Sequence, residues 1–176
     1  MICRIIAEDA DVTVPGNANL DINGDGQINL QDAIRVLQLL RPNNITVSKT
    51  SAQKGDTVTV AITFYGYHPS AAGAVYLAYD PLLTPTTIRW NEDLEGYHVQ
   101  SETEGYPAYF SWTTKDGKNQ MIPNGTVLAY VDFEVSEFIT SNSVLKITPQ
   151  SSMLSDENGN EINLNAGAGF IAVVSD

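Results

Sequence analysis

The chain has 176 residues and carries 9 Lys and Arg against 21 Asp and Glu, which gives a formal net charge of −12. This charge repels phosphate groups, so DNA, RNA and anionic lipid are excluded as expected partners. The single cysteine excludes an intrachain disulfide and a zinc site built on thiolates. No apolar run reaches the ~20 residues that span a bilayer, so we expect no membrane insertion.

Residues 21–32 have the spacing of a calcium-binding loop. Gly26 permits the sharp turn at position 6, and Ile28 at position 8 is expected to hold the loop against its neighbour. The predicted calcium ligands are Asp21, Asn23, Asp25, the carbonyl of Gln27, Asn29 and Asp32. The alternative is a turn that holds no ion, because Asn, Asp and Gly also favour tight turns and helix N-caps.

A helix is predicted directly after this loop, over residues 33–41. Ile34 and Leu37, with Leu40 or Val36, form an apolar stripe at helical spacing, and the proline that follows Arg41 ends the helix. The loop and the helix together, Asp21-Ile-Asn-Gly-Asp-Gly-Gln-Ile-Asn-Leu-Gln-Asp32 and Ala33-Ile-Arg-Val-Leu-Gln-Leu-Leu40, resemble one repeat of a dockerin. A dockerin normally has two such repeats, and residues 9–20 lack the spacing of another.

The N-terminal segment is expected to be a partial dockerin-like unit over residues 1–43. Residues 2–7 are similar to the end of the helix after a first repeat and do not resemble a signal peptide, so we expect the sequence to begin inside a longer parent protein. An intact dockerin of the parent protein would bind a cohesin. The resemblance implies that Leu30, Gln31 and Arg35 contact that cohesin. The alternative is that these side chains are merely exposed at the start of the helix.

From Asn44 onward, the sequence has short runs of alternating apolar and polar residues, separated by Gly, Pro, Asn and Asp. This pattern predicts an all-β sandwich over residues 44–176. In residues 57–65, Val58, Val60, Ile62 and Phe64 recur at every second position, which directs them to one face. Nine strands are expected, a number that favours a jelly roll. They are residues 45–51, 57–65, 74–79, 86–90, 97–101, 108–113, 126–135, 144–148 and 169–174.

Four sequence segments in these runs resemble a cohesin in their order and spacing, over about residues 45–175. They are Lys54-Gly55-Asp56-Thr-Val-Thr-Val60, Val75-Tyr-Leu-Ala-Tyr-Asp-Pro81, Gly125-Thr-Val-Leu-Ala-Tyr-Val-Asp-Phe-Glu-Val135, and Asp156-Glu-Asn-Gly-Asn160 before Gly169-Phe-Ile-Ala-Val173. The resemblance implies a jelly roll, of the type found in cellulosome scaffoldins, that presents one flat sheet face to the helices of a dockerin.

The partner-binding face is expected to lie on two strands whose alternation we assign from the sequence. Val75, Leu77 and Tyr79 are predicted to point inward, and so are Ala108, Phe110 and Trp112. The outward residues predicted to contact the partner are Ala74, Tyr76, Ala78, Tyr109 and Ser111, with Thr113 beside them and Lys146 from a neighbouring strand. The alternative for the two tyrosines is that they are only good strand formers.

The sequence offers no catalytic constellation. Its acidic residues around 92–104 stand in loops where solvated charges are expected, and His68 and His98 are the only histidines. We therefore expect a module that is not an enzyme, a scaffold or adaptor that binds dockerin-bearing proteins. The resemblance places it in a secreted, extracellular or cell-surface bacterial assembly that degrades polysaccharide.

Two alternatives remain open from the sequence. A carbohydrate-binding sandwich is suggested by 2 Trp and 8 Tyr, although Trp90 and Trp112 are interpreted as core residues rather than sugar platforms. The other alternative is purely structural, with the dockerin-like segment serving as a fixed spacer. The few residues that link the two parts, 41–44, favour a restricted connection.

Overall fold

A computed structural model describes residues 20–174, except for the side chains of Gln38 and Leu39. The chain forms two compact units, one ending at Arg41 and the other beginning at Pro42. Within residues 20–174, no helix is long and apolar enough to cross a membrane. The predicted similarity of residues 2–7 to a dockerin helix lies outside the described residues.

The first unit contains one described helix, α1 (Leu30–Leu39), which begins three residues before the predicted start. The earlier start is explained by a reciprocal cap. Asn29 Oδ1 accepts a hydrogen bond from the backbone N–H of Gln31 at 2.7 Å, and Asp32 Oδ2 accepts one from the N–H of Asn29 at 2.8 Å. These bonds satisfy N–H groups that have no partner inside the helix.

The second unit is a sandwich of two sheets. Its twelve strands are β1 (Asn43–Val47), β2 (Lys49–Ala52), β3 (Thr57–Tyr65), β4 (Ala72–Tyr79), β5 (Leu83–Trp90), β6 (Tyr97–Glu102), β7 (Ala108–Thr114), β8 (Thr126–Val135), β9 (Ser143–Ser155), β10 (Glu161–Ile162), β11 (Leu164–Gly167) and β12 (Gly169–Val173). The smaller sheet has the order β11-β1-β3-β8-β5. The larger sheet has the order β2-β12-β9-β4-β7-β6, with β10 paired to β9.

The prediction of nine strands was therefore wrong, and the N-terminal strand shows one reason. The predicted strand 45–51 divides at Ser48, where the chain leaves the smaller sheet and enters the larger one. Ser48 exchanges hydrogen bonds with Ala61, donating its backbone N–H to the carbonyl and accepting the Ala61 N–H on Oγ, each at 2.9 Å. An alternating sequence does not reveal such a crossing, because successive side chains point to opposite faces on both sides of it.

The C-terminal part contains the other missed strands and a long extension of a predicted one. The predicted strand 144–148 continues through Pro149 to Ser155, although proline is disfavoured inside a sheet. Its register against β4 shifts between Ala74 and Tyr76, and Ser151 has a positive φ of 50° at this irregularity. The two-residue β10 and the four-residue β11 are short pairings along β9 and β1 that no local pattern predicts.

The core lies between the two sheets and is centred on aromatic side chains. Trp112 is 1% exposed, and its ring centroid lies 6.0 Å from that of Phe110 and 5.7 Å from that of Trp90. The ring lies over Gly73, its directly paired residue on β4. A Cβ at residue 73 would overlap this ring and lie 2.7 Å from Leu154 Cδ2. The sandwich therefore requires glycine at this position for a packing reason.

We expect Gly73→Ala to lower the free energy of unfolding by ~1–3 kcal/mol, because the added methyl group forces Trp112 or the β4 backbone to move. Chemical denaturation measures the loss. Gly167→Ala is the matched control, since its Cβ would lie 3.4 Å from Thr46 Cγ2, and we expect equal or slightly higher stability. Equal stability of wild type and Gly73→Ala would contradict the packing argument.

On the outer face of the smaller sheet, Asp132 joins three strands. It forms a salt bridge with Arg89 on β5, with Arg89 Nη2 3.0 Å from Asp132 Oδ1, and accepts a 2.5 Å hydrogen bond from the Thr59 hydroxyl on β3. The hydrogen bond from Arg89, with that from Thr59, holds the pKa of Asp132 below its ordinary value of 3.8. The folded state therefore favours the ionised carboxylate.

This shift predicts a pH-dependent stability difference between wild type and Asp132→Asn. Because the pKa of Asp132 is lower in the folded state, the stabilisation that its charge provides is fully present above pH 3.8. It is lost as the pH falls through the pKa of the folded state. We expect Asp132→Asn to cost ~0.5–1 kcal/mol near neutral pH, since the pair is partly exposed, and progressively less in acid. Thermal denaturation from neutral pH to below 3 measures the gap; a gap of constant size would rule out the carboxylate charge as its cause.

Candidate functional site

The outer face of the larger sheet brings the predicted partner-binding residues together. On β4, Val75 and Leu77 are completely buried, whereas Ala74, Tyr76 and Ala78 are half-exposed on the opposite side of the strand. This is the predicted alternation. It follows from the pleat of the strand, which sends successive side chains to opposite faces.

Strand β7 presents the second tyrosine on the same face. Phe110 and Trp112 are each 1% exposed and point into the core, which places Tyr109 and Ser111 outward as predicted. The register between β4 and β7 sets Tyr76 directly opposite Tyr109. Their ring centroids are 5.6 Å apart with an interplanar angle of 31°, so the two side chains form one aromatic pair.

Two cross-strand rows run across this face. One row runs Glu102, Tyr109, Tyr76 and Gln150 across β6, β7, β4 and β9. The next row runs Gln100, Ser111, Ala74 and Met153. Gln150 and Met153 were missed from the sequence, because they lie in the part of β9 beyond Pro149. Met153 is 52% exposed and adds apolar surface beside Ala74.

Lys146 lies on the same face but apart from the tyrosine pair. It stands four residues before Gln150 on β9, and its neighbours Leu145 and Ile147 are buried, which directs the lysine outward. Its backbone carbonyl accepts a hydrogen bond from the N–H of Asp80 at 3.0 Å, so Lys146 is level with the end of β4. The predicted set therefore forms a centre of five residues and one outlying cation.

The centre of this face is uncharged. The six strands β2, β12, β9, β4, β7 and β6 contain one acidic residue, Glu102 at the end of β6, in a chain with 21 Asp and Glu. The depression beside the tyrosines, lined by His98, Gln100, Ser111, Trp112 and Thr113, has a volume of about 210 Å³. That is smaller than the ~300–1,000 Å³ of typical small-molecule sites. The geometry therefore suits a broad protein surface better than an enclosed ligand.

In the first unit, the Asp21 carboxylate closes the loop of residues 21–32. Its Oδ1 accepts backbone N–H groups from Gly24 at 2.8 Å and Asp25 at 3.1 Å, and its Oδ2 accepts that of Gly26 at 2.9 Å. Gly26 has a φ of +81°, a conformation that glycine adopts at no steric cost. Asn23 Oδ1 and Asp25 Oδ1 also accept N–H groups within the loop.

The Asp32 carboxylate holds the other end of this loop. Its Oδ1 accepts the N–H of Ile22 at 2.8 Å, while its Oδ2 bonds to Asn29, as described above. The N–H of Asn29, with those of Asn23 and Ile22, holds the pKa of Asp32 below its usual range. In residues 20–174 there is no cluster of three or more His, Cys, Asp or Glu side chains that could hold a metal. The predicted ligand set also draws on two asparagines and one backbone carbonyl.

The residues expected to act in dockerin recognition lie at the start of α1. Leu30 is 64% exposed, Gln31 is exposed and Arg35 is half-exposed. Exposure is compatible with both interpretations of these residues, contact with a partner and simple location at the start of a helix.

The tryptophans take the role expected from the sequence. Trp112 is buried, and Trp90 is partly buried against the core, where it also contacts Tyr97 with ring centroids 6.1 Å apart. Neither forms a flat exposed platform of the kind that stacks on sugars. The two tryptophans therefore give no support to a carbohydrate-binding module.

The two-sheet architecture and its flat, uncharged aromatic face define a β-sandwich protein-binding module. The family model described as "Cohesin domain" matches residues 43–173. The chain belongs to the cohesin family. No match was found among curated proteins.

Solved cohesin structures have the same fold. A chain in the CaDoc0917–CaCohA2 complex is 26% identical, with a TM-score of 0.64 over 74% of this chain and 99% of that one. The third ScaC cohesin of Acetivibrio cellulolyticus, solved with the ScaB dockerin, is 20% identical, with a TM-score of 0.65 over 75% and 99%. A non-cellulosomal cohesin of the archaeon Archaeoglobus fulgidus is 16% identical, with a TM-score of 0.63 over 76% and 92%.

Proposed function

We propose that the sandwich is a non-catalytic receptor that binds dockerin-bearing proteins through the outer face of the larger sheet. The observation that carries this proposal is the Tyr76–Tyr109 pair, exposed at the centre of a face on which strands β2, β12, β9, β4, β7 and β6 contain one acidic residue. Membership of the cohesin family supports it, as do related structures solved in complex with dockerins.

The physical properties of this face are those of a protein interface. Tyrosine anchors such surfaces because it buries a large ring at a small cost in side-chain entropy and keeps a polar hydroxyl. Ala74 and Ala78, on either side of Tyr76, leave room for a partner helix to approach the sheet. A standard interface of ~1,600 Å² would cover the centre of the face and part of its rim.

We expect Tyr76→Ala to weaken the binding of an intact two-repeat dockerin by ~30-fold or more, because truncation removes half of the aromatic pair. Calorimetric titration against a panel of dockerins in calcium measures the effect. Tyr130→Ala is the matched control: Tyr130 is 38% exposed but lies on the outer face of the smaller sheet, and its loss should leave affinity unchanged. Absence of binding to any dockerin would overturn the proposal, and equal losses from both variants would assign binding to another surface.

We further propose that the loop of residues 21–32 binds calcium. Support comes from the chemistry of the donor set, which consists only of oxygen atoms, and from the closed loop whose carboxylates sit at its two ends. Asp21, Asn23, Asp25, Asn29 and Asp32 would hold the ion, with the carbonyl of Gln27. The positive ion would balance the negative charges of the three carboxylates, and so would order the start of α1.

Asp25→Ala tests this site with little risk to the fold, because Asp25 is exposed and, within residues 20–174, its side chain bonds only to Asn23 and Gln27. We expect calcium affinity to fall by at least ~10-fold in a titration followed by calorimetry. Asp156→Ala is the control, since Asp156 closes a similar Asx turn in the sandwich, where Oδ1 accepts the N–H groups of Asn158 and Asn160. Failure of the wild type to take up calcium would favour the ion-free turn.

The wider setting is also a proposal. A dockerin-like segment, residues 1–43, would attach the protein to a cohesin, with Leu30, Gln31 and Arg35 in contact, while the sandwich receives a second component. Such an adaptor belongs in a secreted, bacterial, polysaccharide-degrading assembly at the cell surface or outside the cell. The archaeal relative is described as non-cellulosomal, so the fold by itself does not require this setting.

A further inference from the structure

A second feature of the larger sheet lies beside the tyrosine face, on strands that none of the predicted residues except Lys146 occupies. Phe170 on β12 is paired directly with Lys146 on β9 and with Lys49 on β2. Ile171 is completely buried, so Phe170 points outward, and the Lys49 Nζ lies 5.5 Å from the centroid of its ring. We call Lys49, Phe170 and Lys146 the lysine row.

The lysine row is a positive site on an acidic protein. Both lysines are exposed, and neither forms a salt bridge with any residue in the described range 20–174, whereas Arg89 and Lys118 are paired with Asp132 and Glu157. Strands β2, β12 and β9 contain no Asp or Glu. The Phe170 ring holds the Lys49 ammonium by a cation–π contact, which reduces the side-chain entropy lost when that ammonium binds an anion.

The row is close enough to the tyrosine pair to lie in the same interface. Lys146 is four residues from Gln150, the residue opposite Tyr76, and β12 is two strands away from β4. At ~3.3 Å per residue and ~4.8 Å per strand, Phe170 lies roughly 16 Å from Tyr76 across the sheet. A standard interface of ~800 Å² per partner is about 30 Å wide, so one partner can cover both.

We propose that the lysine row binds an anionic patch of Asp and Glu side chains on the same protein partner that covers the Tyr76–Tyr109 pair, and so selects among dockerins. This inference rests on the proposed function and extends its interface by two strands. The face then has three parts: Glu102 at one edge, an uncharged aromatic centre, and two cations at the other edge. A partner of opposite polarity fits in one orientation and is repelled in the reverse one.

The test uses the whole chain and a dockerin whose binding is weakened by Tyr76→Ala. Association and dissociation rates are measured at ~20 mM and ~500 mM salt, because exposed charges act at low salt and are screened at high salt. The variants are the double substitutions Lys49→Gln with Lys146→Gln and Lys49→Arg with Lys146→Arg, and the control Lys54→Gln, which removes one exposed lysine from the turn after β2.

We expect the double glutamine variant to associate ~3- to 10-fold more slowly at low salt and less than ~2-fold more slowly at high salt. The double arginine variant should match the wild type, and Lys54→Gln should have little effect. Dockerins that lack acidic residues at the contact should show no response to the glutamine substitutions.

Four results would overturn the inference. If Tyr76→Ala weakens binding but the double glutamine variant equals the wild type at low salt, only the lysine row is excluded and the receptor function stands. If Lys54→Gln slows association as much per charge removed, net charge and not the row is responsible. If the lysine substitutions instead reduce retention on a polyuronate gel and leave dockerin binding unchanged, the anion that the row binds belongs to a polysaccharide. If no dockerin binds, both this inference and the proposed function fail.

Discussion

The contact between Trp112 and Gly73 is the constraint on which the proposed binding face depends. Trp112 fills the centre of the sandwich because the residue opposite it on β4 has no side chain, and its ring packs on Phe110 and Trp90. Since side chains alternate along a strand, an inward Trp112 forces Tyr109 and Ser111 outward. The register that brings Trp112 over Gly73 also sets Tyr109 beside Tyr76. The core thereby determines both the membership and the spacing of the exposed aromatic pair.

Charge is distributed so that an acidic protein can still offer a neutral surface. Most acidic side chains stand in turns and loops, where Asp56, Asp80 and Asp156 accept backbone N–H groups. On the smaller sheet, Asp132 is neutralised by Arg89. The larger sheet has an uncharged centre and two lysines that no described carboxylate neutralises. Burying such a centre costs little desolvation, while the flanking cations orient a partner without requiring a buried ion pair.

The loop of residues 21–32 and the sandwich illustrate two levels of predictability. The loop spacing is local, so the hydrogen bonds that Asp21 accepts and the cap between Asn29 and Asp32 follow from residues close to each other in the sequence. The alternation in β3, β4 and β7 is equally local, and the inward and outward residues of β4 and β7 were correctly predicted. Residues such as Gln150, Met153 and Phe170 were missed because their place on the face depends on pairing with strands distant in sequence.

By itself, the sequence determined the sandwich class, the family resemblance, the identity of the exposed tyrosines and the core role of both tryptophans. These features follow from the recurrence of apolar residues at every second position and from the preference of apolar and aromatic side chains for burial. Only the tertiary structure decided the number of strands, because the crossing at Ser48 and the short pairings of β10 and β11 leave no periodic signal. It alone joined Lys49, Phe170 and Lys146 into one row. Such neighbours are selected by sheet register, which depends on the packing of the whole core rather than on any one segment.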